Sequence, residues 1–170
     1  MNPLNSLRKS LEKSILSNRM KAIIRNTLLN IPLNLVDVTL SEYDESDSYI
    51  VVKLYSSNDR RIPINITFSD SVDLYFMSAS VFEMQEVNTD EQVDFVCSII
   101  NMWLSSRIQV TEIKRGDYIS KTIYEGSHNY MQSRKMFTRT TLFGRFGKRK
   151  MSALYEPWID LKTTAASPAI

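Results

Sequence analysis

The 170-residue chain has one cysteine, one histidine and four glycines, and each scarcity excludes a class of site. Cys97 alone cannot form an internal disulfide, and His128 alone cannot build a zinc site that needs two or more histidines. All four glycines lie after residue 115, which excludes a glycine-rich phosphate loop from the first two-thirds of the chain. No apolar run reaches the roughly 20 residues that span a bilayer, and the first residues lack the apolar core of a signal peptide. We therefore predict a cytoplasmic protein without membrane insertion, metal site or cofactor.

The composition is typical of a globular domain, with 43% hydrophobic and 24% charged residues. A chain of this length corresponds to about one domain and buries enough surface for a core without disulfides. We predict a single α+β domain over residues 1–160, followed by a tail over residues 161–170.

The N-terminal residues 1–30 are predicted to be helical. Leucine, isoleucine and methionine recur at helical spacing from residue 4 to residue 24, and Pro3 suits a first helical turn. One helix over residues 3–30 is the simplest interpretation, and Ser17-Asn18 is the point where it would divide into two. The helix is expected to end before Pro32, because the residue before a proline is pushed out of helical geometry.

Residues 33–84 change to a period of two, which predicts an antiparallel β-meander of four strands. The first strand is predicted at residues 36–41 and the second at residues 49–55. The third covers residues 62–68, where Pro63 favours an edge position or a bulge because proline cannot donate to a strand ladder. The fourth covers residues 72–83, and because it is apolar on both faces we expect it to be central.

Residues 89–107 are predicted to form the central buried helix. Thr89 and Gln92 match a capping box, in which each side chain bonds the backbone of the other. The helix carries two apolar stripes, one through Trp103 and a second of Phe95, Ile99 and Met102, so we expect it to be covered on more than one side. Cys97 lies in this run without a basic neighbour, which indicates an unreactive core thiol. A β-hairpin over residues 109–124 follows, and then a basic C-terminal segment over residues 127–160, with a strand possible at 136–143 and a short element at 151–158.

Charge is segregated along the chain although the net charge is only +2. Residues 1–30 hold six basic residues against one acid, residues 31–96 hold thirteen acids against three basic residues, and residues 97–170 hold twelve basic residues against five acids. Two outcomes remain open. Basic helices could lie against an acidic sheet and neutralise it, or one face could stay charged enough to attract a partner of opposite charge.

Residues 133–150 combine seven basic residues and three phenylalanines with no acid. Basic side chains neutralise phosphates and aromatic rings stack on bases, so this composition is typical of a nucleic-acid site. Gly144 and Gly147 also match the G-x-x-G clamp of KH domains. The residues of this alternative site are Arg134, Lys135, Arg139, Arg145, Phe146, Lys148, Arg149 and Lys150.

The meander, the central helix, the hairpin at Arg115-Gly116-Asp117 and the terminal Tyr155-Glu156-Pro157-Trp158 resemble small immunity proteins of bacterial polymorphic-toxin systems of the contact-dependent inhibition type. The resemblance covers residues 35–158. It implies a non-enzymatic cytoplasmic protein that blocks one cognate toxin domain.

The absence of catalytic groups and the segregated charge also favour a protein-binding inhibitor. We expect its partner to bind the acidic hairpin region, extended to the next turn if the turns cluster. The predicted partner-binding residues are Glu42, Asp44, Glu45, Asp47, Asp70 and Asp73. Nucleic-acid binding is the first alternative. A structural subunit of a larger assembly, with the Trp103 helix or Trp158 at an interface, is the second.

Overall fold

The computed structural model describes residues 2–76, 79–115, 118–127, 134–140 and 148–159. Within these ranges the chain has the predicted α+β architecture, with three α-helices and two antiparallel sheets. The predicted tail at residues 161–170 lies outside them.

The N-terminal helical region is divided into two helices rather than one. Helix α1 spans Pro3–Ser10 and helix α2 spans Asn18–Asn26, followed by a short 3-10 turn at Leu28–Asn30. The Oγ of Ser17 accepts the backbone N–H of Met20 at 3.2 Å, so α2 begins at the Ser17-Asn18 break. A serine cap supplies an acceptor for a helix N–H that would otherwise be unpaired.

Residues 42–85 form a five-stranded meander with strand order β1-β2-β3-β4-β5, all antiparallel. The strands are β1 (Glu42–Glu45), β2 (Ile50–Leu54), β3 (Ile64–Phe68), β4 (Ser71–Phe76) and β5 (Ala79–Gln85). The predicted meander is confirmed, but three of its details are wrong.

The first error is the strand predicted at residues 36–41. The side-chain carboxylate of Asp37 accepts the backbone N–H groups of Thr39 and Leu40, at 2.8 and 3.2 Å, and this closes a turn. Val38 and Leu40 are exposed as a result. An aspartate that bonds the backbone two residues on is a common turn former, and here it overrides the alternating pattern.

The other two errors concern strand position. Residues 72–83 were predicted as one central strand, whereas β4 and β5 are two antiparallel strands and β5 is an edge. Pro63 favoured an edge position for its strand, yet β3 is the middle strand of the five. Pro63 precedes the first residue of β3, so no ladder hydrogen bond is lost.

Helix α3 spans Asp90–Ser105 and begins with the predicted capping box. The Oε1 of Gln92 accepts the backbone N–H of Thr89 at 2.9 Å, and the Oγ1 of Thr89 accepts that of Gln92 at 3.2 Å. Trp103 is buried on the predicted stripe. The described residues cover the second stripe only in part. Ile99 packs against the core and the ring of Phe95 lies 6.3 Å from that of Phe82, but Phe95 and Met102 remain 50% and 42% exposed.

The second sheet has four strands in the order β8-β7-β6-β9. They are β6 (Arg107–Arg115), β7 (Tyr118–Ser127), β8 (Arg134–Thr140) and β9 (Lys148–Tyr155). The predicted hairpin is β6 and β7. The described residues of the C-terminal segment supply one strand to each side of this hairpin. Strand β8 overlaps the strand predicted at 136–143, and β9 overlaps the short element predicted at 151–158.

One hydrophobic core unites side chains from all three helices, the first sheet and the near end of the second sheet. Trp103 and Trp158 belong to it, with 3% and 1% exposure. Burial of Trp158 contradicts the interface suggested for it, whereas an interface on the Trp103 helix stays a prediction, because Phe95 and Met102 of that helix are exposed.

Candidate functional site

The predicted acidic residues lie on the first sheet, although not all on a hairpin turn. Glu42, Asp44 and Glu45 are in strand β1, and Asp47 is in the turn from β1 to β2. Asp70 is in the turn from β3 to β4. Alternate turns of a meander lie at the same end of the sheet, as the pairing of Glu45 with Ile50 and of Phe68 with Val72 shows. The structure therefore brings Asp47 and Asp70 to one end.

One face of the first sheet packs on the core, and the other, which we call the open face, carries most of the acids. The core face holds alternating buried residues such as Val52, Ile66 and Leu74. Strand register places one row of residues across the open face: Asp44, Val51, Thr67, Asp73 and Glu83. The neighbouring row begins with Glu42, Lys53, Asn65 and Tyr75.

Glu45 does not share the open face with Asp44, because neighbouring residues of a strand point to opposite faces. The hydroxyl of Tyr43 donates a hydrogen bond to the Oε2 of Glu45 at 2.5 Å and also contacts the Oγ of Ser10 in α1. Burial, with the Glu45 carboxylate adding to it, raises the pKa of Tyr43 to about 12. Glu45 thus has a partner within the fold and lies on the face opposite Asp44.

Most acids of the open face and its end form no ion pair with a residue that the structure describes. Glu42 is the exception, because its Oε2 lies 2.7 Å from the Nζ of Lys53. That hydrogen bond and charge raise the pKa of Lys53. Among the described residues, no ion pair involves Asp44, Asp47, Asp70, Asp73, Glu83 or Glu86.

Local hydrogen bonds hold several of these acids in place. The Oγ of Ser71 donates to Asp73 at 3.2 Å, and the amide of Gln85 donates to Glu83 at 3.0 Å. The backbone N–H of Glu86 donates to the carbonyl oxygen of Asp70 at 3.2 Å, which brings Glu86 to the acidic end. These neutral donors orient the carboxylates without cancelling their charge.

The basic N-terminal helices do not neutralise this surface. Arg25 pairs with Glu12 at 2.5 Å, and Arg19 pairs with Asp90 of α3 at 3.2 Å. In the part of the chain that the structure describes, no ion pair joins α1 or α2 to the first sheet. The helices share the core with the opposite face of the sheet, so the charge segregation of the sequence persists in the fold.

A hollow of about 470 Å³ opens on the open face where β1 meets β2. It is lined by Glu42, Tyr43, Asp44, Tyr49, Val51 and Lys53. Tyr49, Val51 and Lys53 were not among the predicted site residues. The only sequence signal for them is the period of two in β2, which puts all three on one face, but the register against β1 cannot be read from the sequence.

The alternative basic site is divided between two strands. Arg134, Lys135 and Arg139 lie in β8, whereas Lys148, Arg149 and Lys150 lie in β9. These strands are the two edges of the second sheet, and three strand spacings separate them by roughly 14 Å. Arg145, Phe146 and the G-x-x-G residues lie outside the described ranges. The described basic residues of the alternative site therefore form two groups, one on each edge of the second sheet.

Cys97 has the surroundings of an unreactive core thiol. Cys97 is buried, and loss of hydration, with a smaller effect of Asp94, raises the pKa of its thiol. A raised thiol pKa disfavours the nucleophilic thiolate. His128 lies outside the described residues. Where side chains are described, no three of the metal-binding residue types come together as a cation site.

Comparison with protein-family models, curated protein sequences and solved structures finds no match to this chain. None of the described helices is both long and apolar enough to cross a membrane. The function is therefore inferred from the charged surface of the first sheet.

Proposed function

We propose that this chain is a non-enzymatic inhibitor that binds one protein partner, acting in the cytoplasm as the immunity protein of a toxin domain. The observation that carries the proposal is the open face with its adjoining end, where six carboxylates have no ion pair with a described residue. A sheet face with an excess of one charge steers a partner of opposite charge and raises its association rate. The partner is accordingly a protein with a basic contact surface.

The side chains of the open face support a protein partner over a small molecule. Five antiparallel strands present short polar and aromatic side chains, including Thr67 and Tyr75, beside the acids. Such a surface can make many shallow contacts at once, which is how standard protein interfaces are built. The resemblance to immunity proteins supplies the toxin as the expected partner.

Affinity capture from the source cell tests the proposal with charge-matched variants. The acidic-surface variant carries Asp44→Asn, Asp70→Asn and Asp73→Asn. The control carries Asp59→Asn, Asp94→Asn and Glu125→Gln, which remove the same charge from other places. We expect one stoichiometric protein with the wild type and the control, and a slower association or loss of capture with the acidic-surface variant.

A third variant separates this proposal from nucleic-acid binding. Lys148→Gln, Arg149→Gln and Lys150→Gln neutralise the basic end of β9. Capture of nuclease-sensitive RNA or DNA that only this variant loses would overturn the inhibitor proposal. Equal capture of the protein by the acidic-surface variant and its control would overturn the assignment of the binding surface. Restoration of growth when the chain is co-expressed with the captured partner would support the immunity role.

A further inference from the structure

We propose that the hollow between β1 and β2 receives an arginine side chain of the partner protein. The inference rests on the proposed function and deepens it, because it names the group that the acidic surface recognises. The hollow brings together carboxylates, an aromatic ring and an apolar floor, and these three features match the three parts of an arginine side chain.

Asp44 and Tyr49 supply the two contacts that a guanidinium group prefers. Asp44 pairs with Val51 in register, and Tyr49 lies two residues from Val51 on the same face, so Asp44 and Tyr49 are diagonal neighbours. Diagonal neighbours lie roughly 7–8 Å apart, which leaves room for a planar group between a carboxylate and a ring. A guanidinium group forms bidentate hydrogen bonds to carboxylates and stacks on aromatic faces, whereas a lysine ammonium acts as a hydrated point charge.

Val51 and the ion pair between Lys53 and Glu42 also fit an arginine side chain in the hollow. Val51 is half-buried on the floor of the hollow, where it can cover the methylene stem of an arginine. Glu42 is held by Lys53, whereas Asp44 acts on Lys53 only through its charge and has no ion pair within 4.0 Å among the described residues. Among the residues that line the hollow, the acids outnumber the single lysine, so an added cation balances the charge.

Asn65, the neighbour of Lys53 across the sheet, has a side-chain oxygen that no described residue satisfies. Asn65 is the register partner of Lys53 on β3. Its Oδ1 is enclosed and accepts no hydrogen bond from any residue that the structure describes. A buried acceptor without a donor is costly, and the ammonium group of Lys53 has three donors to share. We therefore expect the ammonium group of Lys53 to turn to Asn65 when an arginine occupies the hollow.

Nuclear magnetic resonance titration of the full chain tests this with three blocked tripeptides, Gly-Arg-Gly, Gly-Lys-Gly and Gly-citrulline-Gly. We expect the arginine peptide to shift the backbone amides of residues 42–53 in a saturable manner. The lysine peptide should bind more weakly, and the uncharged citrulline peptide should cause no saturable shift. Equal responses to arginine and citrulline, shifts confined to other residues, or no shift would each overturn the inference.

Tyr55 provides a matched control for Tyr49. Both tyrosines are 37% exposed and flank β2, one at each end, but Tyr55 is outside the hollow. Tyr49→Leu is expected to weaken arginine binding about two- to five-fold, the effect of losing one exposed cation–π contact. Asp44→Asn should do the same by removing the charge, and Tyr55→Leu should leave affinity unchanged. An equal effect of Tyr49→Leu and Tyr55→Leu would contradict the assignment of the ring.

The two proposals fail separately. Protein capture that depends on the acidic surface but not on Tyr49, together with no arginine response, overturns the hollow and leaves the proposed function in place. An arginine-specific response at residues 42–53 without any captured protein supports the hollow as a guanidinium site and overturns the proposed function.

Discussion

The indole nitrogen of Trp158 donates a hydrogen bond to the carbonyl oxygen of Ile62 at 2.9 Å, although the two residues are 96 positions apart. The backbone N–H groups of Trp158 and Ile159 both donate to the carbonyl oxygen of Leu104, at 2.7 and 3.0 Å. One short segment after β9 therefore joins the loop before β3 to the end of α3, and so links the two sheets through the core.

Trp158→Ala is expected to lower the free energy of unfolding by about 3–5 kcal/mol, because it leaves a large cavity in the core. Trp158→Phe keeps much of the apolar volume but leaves the carbonyl of Ile62 without its donor, at a cost of about 1–3 kcal/mol. Urea unfolding followed by circular dichroism measures both. Leu154→Ala, at a residue that is 66% exposed, is the control and should change stability by less than about 0.5 kcal/mol. A loss below about 1 kcal/mol for Trp158→Ala would contradict the burial of the ring.

Trp103→Ala is expected to cost about 3–5 kcal/mol for the same physical reason. The ring of Trp103 packs edge-on against Tyr124 of the second sheet, with centroids 6.1 Å apart. Met102→Ala is a control on the neighbouring, exposed position of α3. Thermal melts in which the two substitutions have equal effects would show that α3 presents a different face to the core.

Tyr43→Phe is expected to change the alkaline dependence of stability. The folded chain holds the Tyr43 proton up to a pKa of about 12, whereas an unfolded tyrosine loses it near pH 10. Between these values the unfolded state binds fewer protons, so the stability that Tyr43 contributes below pH 10 is lost as the pH rises toward 12. Urea midpoints measured from pH 9 to 12 should fall less steeply for Tyr43→Phe than for the wild type. Parallel curves for the two proteins would contradict the burial of the hydroxyl.

Glu83→Gln is expected to stabilise the protein slightly. Glu83 and Asp73 are directly opposite on β5 and β4, and like charges in that position destabilise a sheet. The gain should be about 0.2–1 kcal/mol in urea unfolding at low salt, and it should shrink as added salt screens the wild-type repulsion. Glu91→Gln, in the first turn of α3, is the control and should give no such gain, because an acid there suits the helix dipole. A loss of stability for Glu83→Gln at low salt would refute the repulsion.

The parts of the fold that depend on neighbouring residues could be predicted from the sequence. Helix α3 was predicted because Thr89 and Gln92 form a local signal, and the alternation from Ile62 to Phe68 predicted β3. The wrong predictions have two causes. One is a local side-chain hydrogen bond that competes with strand formation, and the other is strand pairing between residues far apart in the sequence. The side chain of Asp37 turns the chain where alternation predicted a strand, and the pairing of β9 with β6 leaves no sequence signal.

The candidate surface was predictable only in part, for the same reason. The excess of acids over residues 31–96 is visible in the sequence, but their division between two faces depends on strand register. A register difference of one residue would put Asp44 on the core face and Glu45 in its place. The facing pair of Asp73 and Glu83 likewise appears only when β4 and β5 are paired.

The pairing of β6 with β9 has a consequence for the order in which the protein folds. Each strand of the first sheet pairs with its neighbour in the chain, so that sheet requires only short loops to close and can form early. Ile108 can pair with Tyr155 only after the whole segment between them has been synthesised. The contact of Trp158 with Ile62 joins residues that are still farther apart in the sequence. A polypeptide emerging from the ribosome would therefore complete its acidic sheet well before Trp158 closes the core.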